Sequence, residues 1–171
     1  MWNVVSYYPK YMRCKWHVMH IDERDRLILE ALQRDCRLSH AELAQKAGMS
    51  VSSCWRRVRA LEEAGAISRY GAVVDPARVG LGFHAVVHVQ LARHDPDRQK
   101  DFISAIRARP EVQECFATTG QPDYHMRVLC RDLDAYNRFL EDFLFRQAGV
   151  QSVQTHVVLR EIKSGAIVTP A

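Results

Sequence analysis

Residues 38–64 constrain the fold more than any other part of the chain, because they encode two short helices joined by a glycine turn. Ser39 followed by Glu42 forms a capping box, which predicts that the first of these helices begins at Ser39. Gly48 supplies the left-handed residue that ends a helix, and Ser50 is a suitable N-cap for the next one. Two helices joined in this way are typical of a helix-turn-helix unit.

The second of these helices has two distinct faces. Residues spaced by three and four are expected to point inward together, and these are Val51, Cys54, Val58 and Leu61. The opposite side mixes serine with arginine and has no acidic residue before Glu62. Such a face favours the DNA major groove as its partner. The alternative is an ordinary helical hairpin with a solvated basic face.

The candidate DNA-binding residues lie on this exposed side and at the helix N-terminus: Ser50, Ser52, Ser53, Arg56, Arg57 and Arg59. Arg56 is farthest from the buried side, and we predict that it contacts a base, since arginine is the usual bidentate partner of guanine. Arg57, at the flank, and Arg59 are predicted to contact phosphates. The serines lie where backbone amides attract phosphate. Trp55 borders the buried side and is expected to pack against the first helix.

Composition narrows the class of protein. The chain has 171 residues, 47% of them hydrophobic and 26% charged, which is typical of a globular protein. Its net charge is +4, but residues 71–171 contain twelve basic and twelve acidic side chains, so nucleic-acid binding is expected only near the N-terminus. Five cysteines without a CxxC pair disfavour disulfides and a zinc finger, and indicate a reducing compartment. Without an apolar run near 18 residues or a signal peptide, we expect no membrane association and a cytoplasmic location.

Residues 1–20 form an aromatic N-terminal extension without periodicity. We interpret it as lying upstream of the natural start, with Met19 as a possible initiator, and expect residues 1–18 to be dispensable; an arm that packs on a partner is the alternative. A first helix opens at Asp22, buries Leu27, Ile28, Ala31 and Leu32, and ends near Asp35. Residues 21–66 therefore form a three-helix DNA-binding domain. Residues 67–81 are predicted to contain a linking strand, over 67–74, and a linker.

From residue 82 the hydrophobic period changes to two, which predicts a second domain over residues 82–163 and a tail over 164–171. A strand follows Gly82, a helix begins at Asp95-Pro96, and strands are predicted over 112–119 and 124–130. An amphipathic helix then runs from Leu133 to a break at Gly149, before a last strand over 150–162. The order βαββαβ is that of a ferredoxin-like module with the expected strand order 4-1-3-2, so the fold class is α+β.

The ordered series of motifs resembles the Lrp/AsnC family of bacterial transcriptional regulators. The residues that carry the resemblance are DERDRLILEALQRDCRLSHAELAQKAGMS, SSCWRRVRALEEAGAI, YGAVVDPARVGLGF, RPEVQECFATTGQPDYHMRV, DLDAYNRFL and GVQSVQTHVVLREIK, spread over about residues 21–163. The resemblance implies a DNA-binding domain, a linking strand, and a C-terminal module that forms homodimers, assembles them to octamers and senses amino acids. It implies double-stranded DNA and an amino acid as partners. The extension and the tail SGAIVTPA have no counterpart in the family.

The segment Thr118–Tyr124 is by its composition a hairpin turn between two strands. The resemblance implies that the equivalent turn belongs to the effector pocket, and Gly120 allows a ligand to approach the backbone. The candidate effector-binding residues are Thr119, Gly120, Gln121, Asp123 and Tyr124. We expect Asp123 to pair with a ligand ammonium group and Gln121 to tune selectivity.

Four histidines leave other functions open. If the strand order is 4-1-3-2, the imidazoles of His84, His88, His125 and His156 approach one another, but a strand face or dimer contact is preferred to a metal site. No nucleophile elbow, phosphate loop or paired catalytic carboxylates occur, so we predict no catalytic residues and no cofactor. The alternatives to a regulator are an enzyme similar to the siroheme decarboxylases, which resemble the same two-part family, and an amino-acid-binding module that does not bind DNA.

Overall fold

The computed structural model describes residues 19–92, 96–165 and 167–169. The chain divides into two compact units, one running to Val73 and including the residues from Lys163 onward, the other running from Val74 to Ile162. Residues 1–18, and Asp95 at the predicted start of a helix, lie outside the described residues. In the described part of the chain, no helix has the length and apolarity needed to cross a bilayer.

The N-terminal unit contains three helices: α1 (Glu23–Arg34), α2 (His40–Lys46) and α3 (Val51–Glu63). All three predicted N-caps are confirmed. Asp22 and Ser39 each form a capping box, and the Ser50 side chain accepts a hydrogen bond from the Ser53 amide. Gly48, between α2 and α3, has a φ of 62°, as the glycine turn requires.

The core of this unit is formed by all three helices. Its fully buried side chains include Ile28, Leu43, Cys54 and Leu61. Two predictions of burial are wrong: Leu27 of α1 is 37% exposed and Val51 of α3 is 51% exposed. Val51 is the first residue of α3, ahead of the turns whose side chains pack on the other helices.

The predicted strand over residues 67–74 is wrong for the single chain. Ile67 packs against the core and its amide bonds the Leu61 carbonyl, but residues 68–74 are exposed and adopt no regular structure. A strand needs a neighbour to complete its hydrogen bonds, and none is present among the described residues. The tail does have a place in the fold: Gln33 of α1 exchanges two hydrogen bonds with the backbone of Val168, at 2.8 and 2.9 Å.

The C-terminal unit has the predicted βαββαβ order. Its elements are β1 (Phe83–Leu91), α4 (Pro96–Arg107), β2 (Val112–Ala117), β3 (Tyr124–Cys130), α5 (Leu133–Arg138) and β4 (Val150–Val157). The antiparallel sheet has the order β2-β3-β1-β4, which confirms the expected 4-1-3-2 arrangement. After α5 the chain continues through a π-helical turn over Phe139–Phe143 and a 3₁₀ turn over Leu144–Arg146. β2 and β4 end earlier than predicted.

The sheet presents one buried and one open face. Alternate residues of β1, beginning with Ala85, are buried against Phe102 of α4 and Phe139 of the helical segment after α5. The residues between them, beginning with His84, are only partly buried and lie on the other face. This alternation confirms the period-two pattern of the sequence and places the histidines on the open face.

Candidate functional site

The outer side of α3 carries the residues predicted to meet DNA. Arg56 and Ser52 are exposed, one helical turn apart, and no acidic residue lies in the first turn. The Ser50 hydroxyl oxygen is 3.3 Å from both the Ser53 amide nitrogen and Ser52 Oγ. The serines therefore shape the N-terminus of a helix, and the positive end of a helix dipole is suited to a phosphate.

Arg57 is placed differently from the other arginines. Its Nη1 donates to Oδ2 of Asp22 at 2.7 Å and to Oδ1 of Asp25 at 2.8 Å, and Asp25 is only 5% exposed. Hydrogen bonds to these carboxylates raise the pKa of Arg57, while the Asp25 backbone amide and Arg57 lower the pKa of Asp22. In the unbound protein Arg57 therefore bridges α3 to α1, and its contact with a phosphate stays a prediction. Sequence reasoning did not identify Asp25 as the partner of Arg57. The signal for Asp25 in the sequence was the Asp-x-x-Asp capping pattern at residues 22–25.

Arg59 and Trp55 form a second arrangement on α3. The Arg59 guanidinium lies over the Trp55 ring, 5.4 Å from its centroid, and Arg59 Nε donates to Glu63 at 2.8 Å. Trp55 is 47% exposed and is not among the described residues that form or border the core, so the expectation that it packs against the first helix is wrong. Stacking and the Glu63 contact hold Arg59 in one orientation at the surface.

Val51 and Trp55 together border an open depression of about 650 Å³, which is lined by His40, Val51, Ser52, Trp55 and Arg56. Neither apolar side chain belongs to the described core of the unit or to the hydrophobic residues packed against it. We call these two side chains the apolar patch. Their spacing of four, at the start of the helix and beside Arg56, is the sequence signal that could have revealed it.

In the C-terminal unit, four of the five predicted effector residues lie on the turn between β2 and β3, over residues 118–123, which we call the effector turn, and the fifth, Tyr124, is the first residue of β3. Thr119, Gly120 and Gln121 are exposed, and Gly120 has a φ of 100°. The turn is closed by hydrogen bonds from the Thr118 amide to the Asp123 carbonyl at 2.9 Å and from Thr118 Oγ1 to the Pro122 carbonyl at 3.0 Å. The tip is therefore held in a defined shape and faces solvent.

Asp123 and Tyr124 have structural partners. Oδ2 of Asp123 accepts a hydrogen bond from the Leu91 amide at 2.8 Å, where the pairing of β1 with β4 is irregular. Tyr124 is 3% exposed, and its hydroxyl accepts from Nε2 of Gln99 at 2.8 Å. The carboxylate expected to bind a ligand ammonium group thus holds the effector turn against β1, while Tyr124 lies in the core.

An open cleft of about 770 Å³ lies beside the effector turn. Its lining is Gln90, Ala92, Arg98, Gln121, Gly149, Val150 and Gln151. Gln121 is the one predicted effector residue in this lining, and the other members come from the end of β1, the start of α4 and the start of β4. The sequence contained no signal for these residues, because the irregular pairing that brings them together is a property of the sheet.

The histidines on the open sheet face do approach one another, as predicted. The ring centroid of His88 is 4.5 Å from that of His125 and 4.8 Å from that of His156, and we call these three the histidine cluster. Desolvation and then the two neighbouring imidazoles lower the pKa of His88. His84 accepts instead from Nε of Arg127 at 3.2 Å. Within the described residues, no three His, Cys, Asp or Glu side chains are arranged to hold a metal ion.

Comparisons with known proteins match both units. A model of the Lrp/AsnC ligand binding domain matches residues 84–168, and a model of winged helix-turn-helix DNA-binding domains matches residues 21–68. The leucine-responsive regulatory protein of Klebsiella pneumoniae is 37% identical over 143 residues, which cover 84% of this chain and 87% of that protein. The protein of the same name from Escherichia coli K12 is 36% identical with the same coverage.

Solved structures agree with these matches. A transcriptional regulator from Neisseria meningitidis, in complex with L-Met, superposes with a TM-score of 0.83 at 37% identity, covering 87% of this chain and 96% of that one. Escherichia coli AsnC superposes with a TM-score of 0.80 at 29% identity, covering 88% of this chain and 99% of that one.

Proposed function

The chain belongs to the Lrp/AsnC family, and we propose that it is a transcriptional regulator that binds operator DNA through α3 and an amino acid through its C-terminal unit. The observation that carries the DNA-binding half is the outer side of α3, where Arg56, Ser52 and a helix N-terminus without acidic residues share one surface. Residues 21–66 form the DNA-binding part, 67–81 the link, and 82–163 the part for effector binding and assembly.

The proposed DNA contacts are Ser50, Ser52, Ser53, Arg56 and Arg59. Arg56 contacts a base edge, and Arg59 contacts a phosphate from the orientation that Trp55 and Glu63 give it. Arg57 contributes by fixing α3 on α1 rather than by a free guanidinium, since both Asp22 and Asp25 hold it. This assignment differs from the sequence prediction, in which Arg57 and Arg59 had the same role.

The proposed effector site is the exposed tip of the effector turn, Thr119, Gly120 and Gln121, with the adjoining cleft. An amino acid needs donors for its carboxylate and acceptors for its ammonium group, and an exposed turn with a left-handed glycine offers backbone groups for both. Asp123 positions the turn. If the ligand ammonium group also binds Asp123 directly, the Asp123 carboxylate must accept hydrogen bonds from both that group and the Leu91 amide. The neighbour solved with L-Met supports an amino acid as the ligand class.

We further propose a homodimer that assembles to an octamer, as the family resemblance implies. The open face of the sheet carries the histidine cluster and Phe116 of β2, an aromatic residue that is 58% exposed and could be buried by a second copy of the chain. A bacterial transcriptional regulator binds chromosomal DNA, which lies in the cytoplasm, so we propose a cytoplasmic location. The relatives are named regulators, which favours this role over a decarboxylase-like enzyme.

The proposed function is tested by selecting duplexes from a randomised pool with the full-length protein, followed by footprinting on the selected sequence. A symmetric dimer reads two half-sites about 34–36 Å apart, or a multiple of that distance. Recovery of a two-fold consensus supports the proposal. Recovery of no consensus, with binding that disappears uniformly as salt is raised, contradicts sequence-specific regulation.

A further inference from the structure

The apolar patch lies outside the described hydrophobic core of the N-terminal unit. Val51 is 51% exposed and Trp55 is 47% exposed, although both are large apolar residues on a helix that buries Cys54, Val58 and Leu61 completely or nearly so. Their spacing of four places them on one side of α3, one turn apart. Exposed apolar side chains grouped in this way mark a binding surface more often than an accident of sequence.

The surroundings of the patch identify the partner. Arg56 borders the same depression, Ser50 and Ser52 lie at the same end of the helix, and the first turn of α3 contains no acidic residue. This combination of positive charge, a helix N-terminus and hydroxyl groups is complementary to a polyanion rather than to an apolar protein surface. In helix-turn-helix proteins, the N-terminal residues of this helix are those that reach the base edges.

We propose that Val51 and Trp55 read the C5-methyl groups of thymine in the major groove, and so set the sequence preference of the protein together with Arg56. The thymine methyl is the only apolar group that a base pair presents in that groove, and side chains recognise it by apolar contact. Val51 supplies two methyl groups in the first helical turn, and Trp55 supplies the exposed edge of a ring whose face is covered by Arg59. The inference rests on the proposed DNA-binding function and names what this helix recognises.

The test removes single methyl groups from the DNA. A duplex selected by the full-length protein is synthesised with each thymine of one half-site replaced in turn by deoxyuridine, which lacks only the C5-methyl and keeps its base pairing. Fluorescence anisotropy then gives the dissociation constant of each duplex for the parent protein and for Val51→Ala and Trp55→Ala. Leu27→Ala, which shortens an exposed apolar side chain on α1, is the matched control.

The parent is expected to bind at least one deoxyuridine duplex on the order of fourfold more weakly, since burying a group of this size is worth about 0.8 kcal/mol. At that position either Val51→Ala or Trp55→Ala is expected to bind the thymine and deoxyuridine duplexes with equal affinity. Leu27→Ala is expected to keep the difference in affinity that the parent shows. Trp55→Gln, which keeps a long side chain but has no apolar ring, is the second variant if Trp55→Ala fails to fold, as judged by its circular dichroism melt.

Three results overturn the proposal: a half-site without thymine, equal binding of thymine and deoxyuridine duplexes by the parent, or a difference that survives in both patch variants. Loss of the difference in either variant supports it. Failure of the underlying DNA-binding function has a separate signature, because the selection then returns no consensus.

Discussion

Arg57 of α3 donates from Nη1 to Oδ1 of Asp25 in α1 at 2.8 Å, and Asp25 is the one charged side chain in the described part of the chain that is buried. The same nitrogen is 2.7 Å from Oδ2 of Asp22, the residue that caps α1. This bridge fixes the helix proposed to enter the DNA groove on the helix that begins the unit.

Arg57→Ala is expected to destabilise the N-terminal unit by about 1–3 kcal/mol, because it leaves the buried Asp25 carboxylate without its main partner. Chemical denaturation of the full chain, followed by circular dichroism, measures the loss. Arg59→Ala is the control, since its partner Glu63 is well exposed and surface pairs contribute little. Equal stability of the two variants would show that the bridge is not structural.

Arg56→Ala is expected to weaken binding to the selected duplex by about 1–3 kcal/mol and to relax the preference at one base pair, the effect of losing a bidentate contact. The matched control is Arg34→Ala, which removes an exposed arginine from the last turn of α1. Anisotropy titrations at fixed salt compare the three proteins. If both variants lose affinity equally, with unchanged sequence preference, Arg56 acts only through its charge.

His88 makes the C-terminal unit sensitive to pH. Folding holds its pKa below the ordinary value of 6.5, through desolvation and the imidazoles of His125 and His156. As the pH falls, the unfolded chain therefore takes up this proton first, so stability is unaffected well above pH 6.5 and is lost as the pH falls from about 6.5 through the folded pKa. Desolvation and then the neighbouring Arg127 lower the pKa of His84 in the same way.

His88→Gln is accordingly expected to flatten the dependence of the melting temperature on pH between about 7 and 5. His20→Gln, at an exposed position outside the sheet, is the control. A pH profile of His88→Gln that matches the parent would mean that the histidine cluster does not penalise protonation.

Gln121→Ala is expected to weaken amino-acid binding without changing the melting temperature, because Gln121 is exposed at the tip of the effector turn. Asp123→Ala is expected to lower both the affinity for the amino acid and the melting temperature. The Leu91 amide loses its acceptor in this variant, which reduces the free energy of unfolding by about 1 kcal/mol. Calorimetry with a panel of amino acids supplies the affinities, and Gln113→Ala, exposed on β2, is the control. Unchanged ligand affinity in Gln121→Ala would place the site elsewhere.

Local signals in the sequence were sufficient to predict most of the helices and strands and the order in which they occur. The caps at Asp22, Ser39 and Ser50 and the alternation along β1 each depend on neighbours in the chain, and each is confirmed. The errors have a different origin. Val51 lies on the inward side of α3 by periodicity, yet periodicity does not say where along a helix its packing partners end. The strand predicted at 67–74 needs a neighbour, and the described residues do not supply one.

The candidate site likewise has features that the sequence predicted and features that it did not. The residue types on the outer side of α3 were visible in the sequence, and Arg56 remains exposed there. The bridge made by Arg57 was not, because it depends on tertiary packing that brings Asp25 of α1 alongside. The contact of Arg59 with Trp55 is local, since the two residues are four apart on α3, but sequence reasoning did not use that spacing. For the effector turn, the sequence located the turn but not the contact that ties Asp123 to Leu91, which is 32 residues away.

The central claim is that one chain couples amino-acid binding to DNA binding. The most direct measurement is an anisotropy titration of the selected duplex with full-length protein, alone and with each of the common amino acids at saturating concentration. The account predicts that at least one amino acid changes the dissociation constant for DNA by about 5- to 150-fold, the usual range of coupling between sites. Tight, sequence-specific binding that no amino acid changes would contradict it.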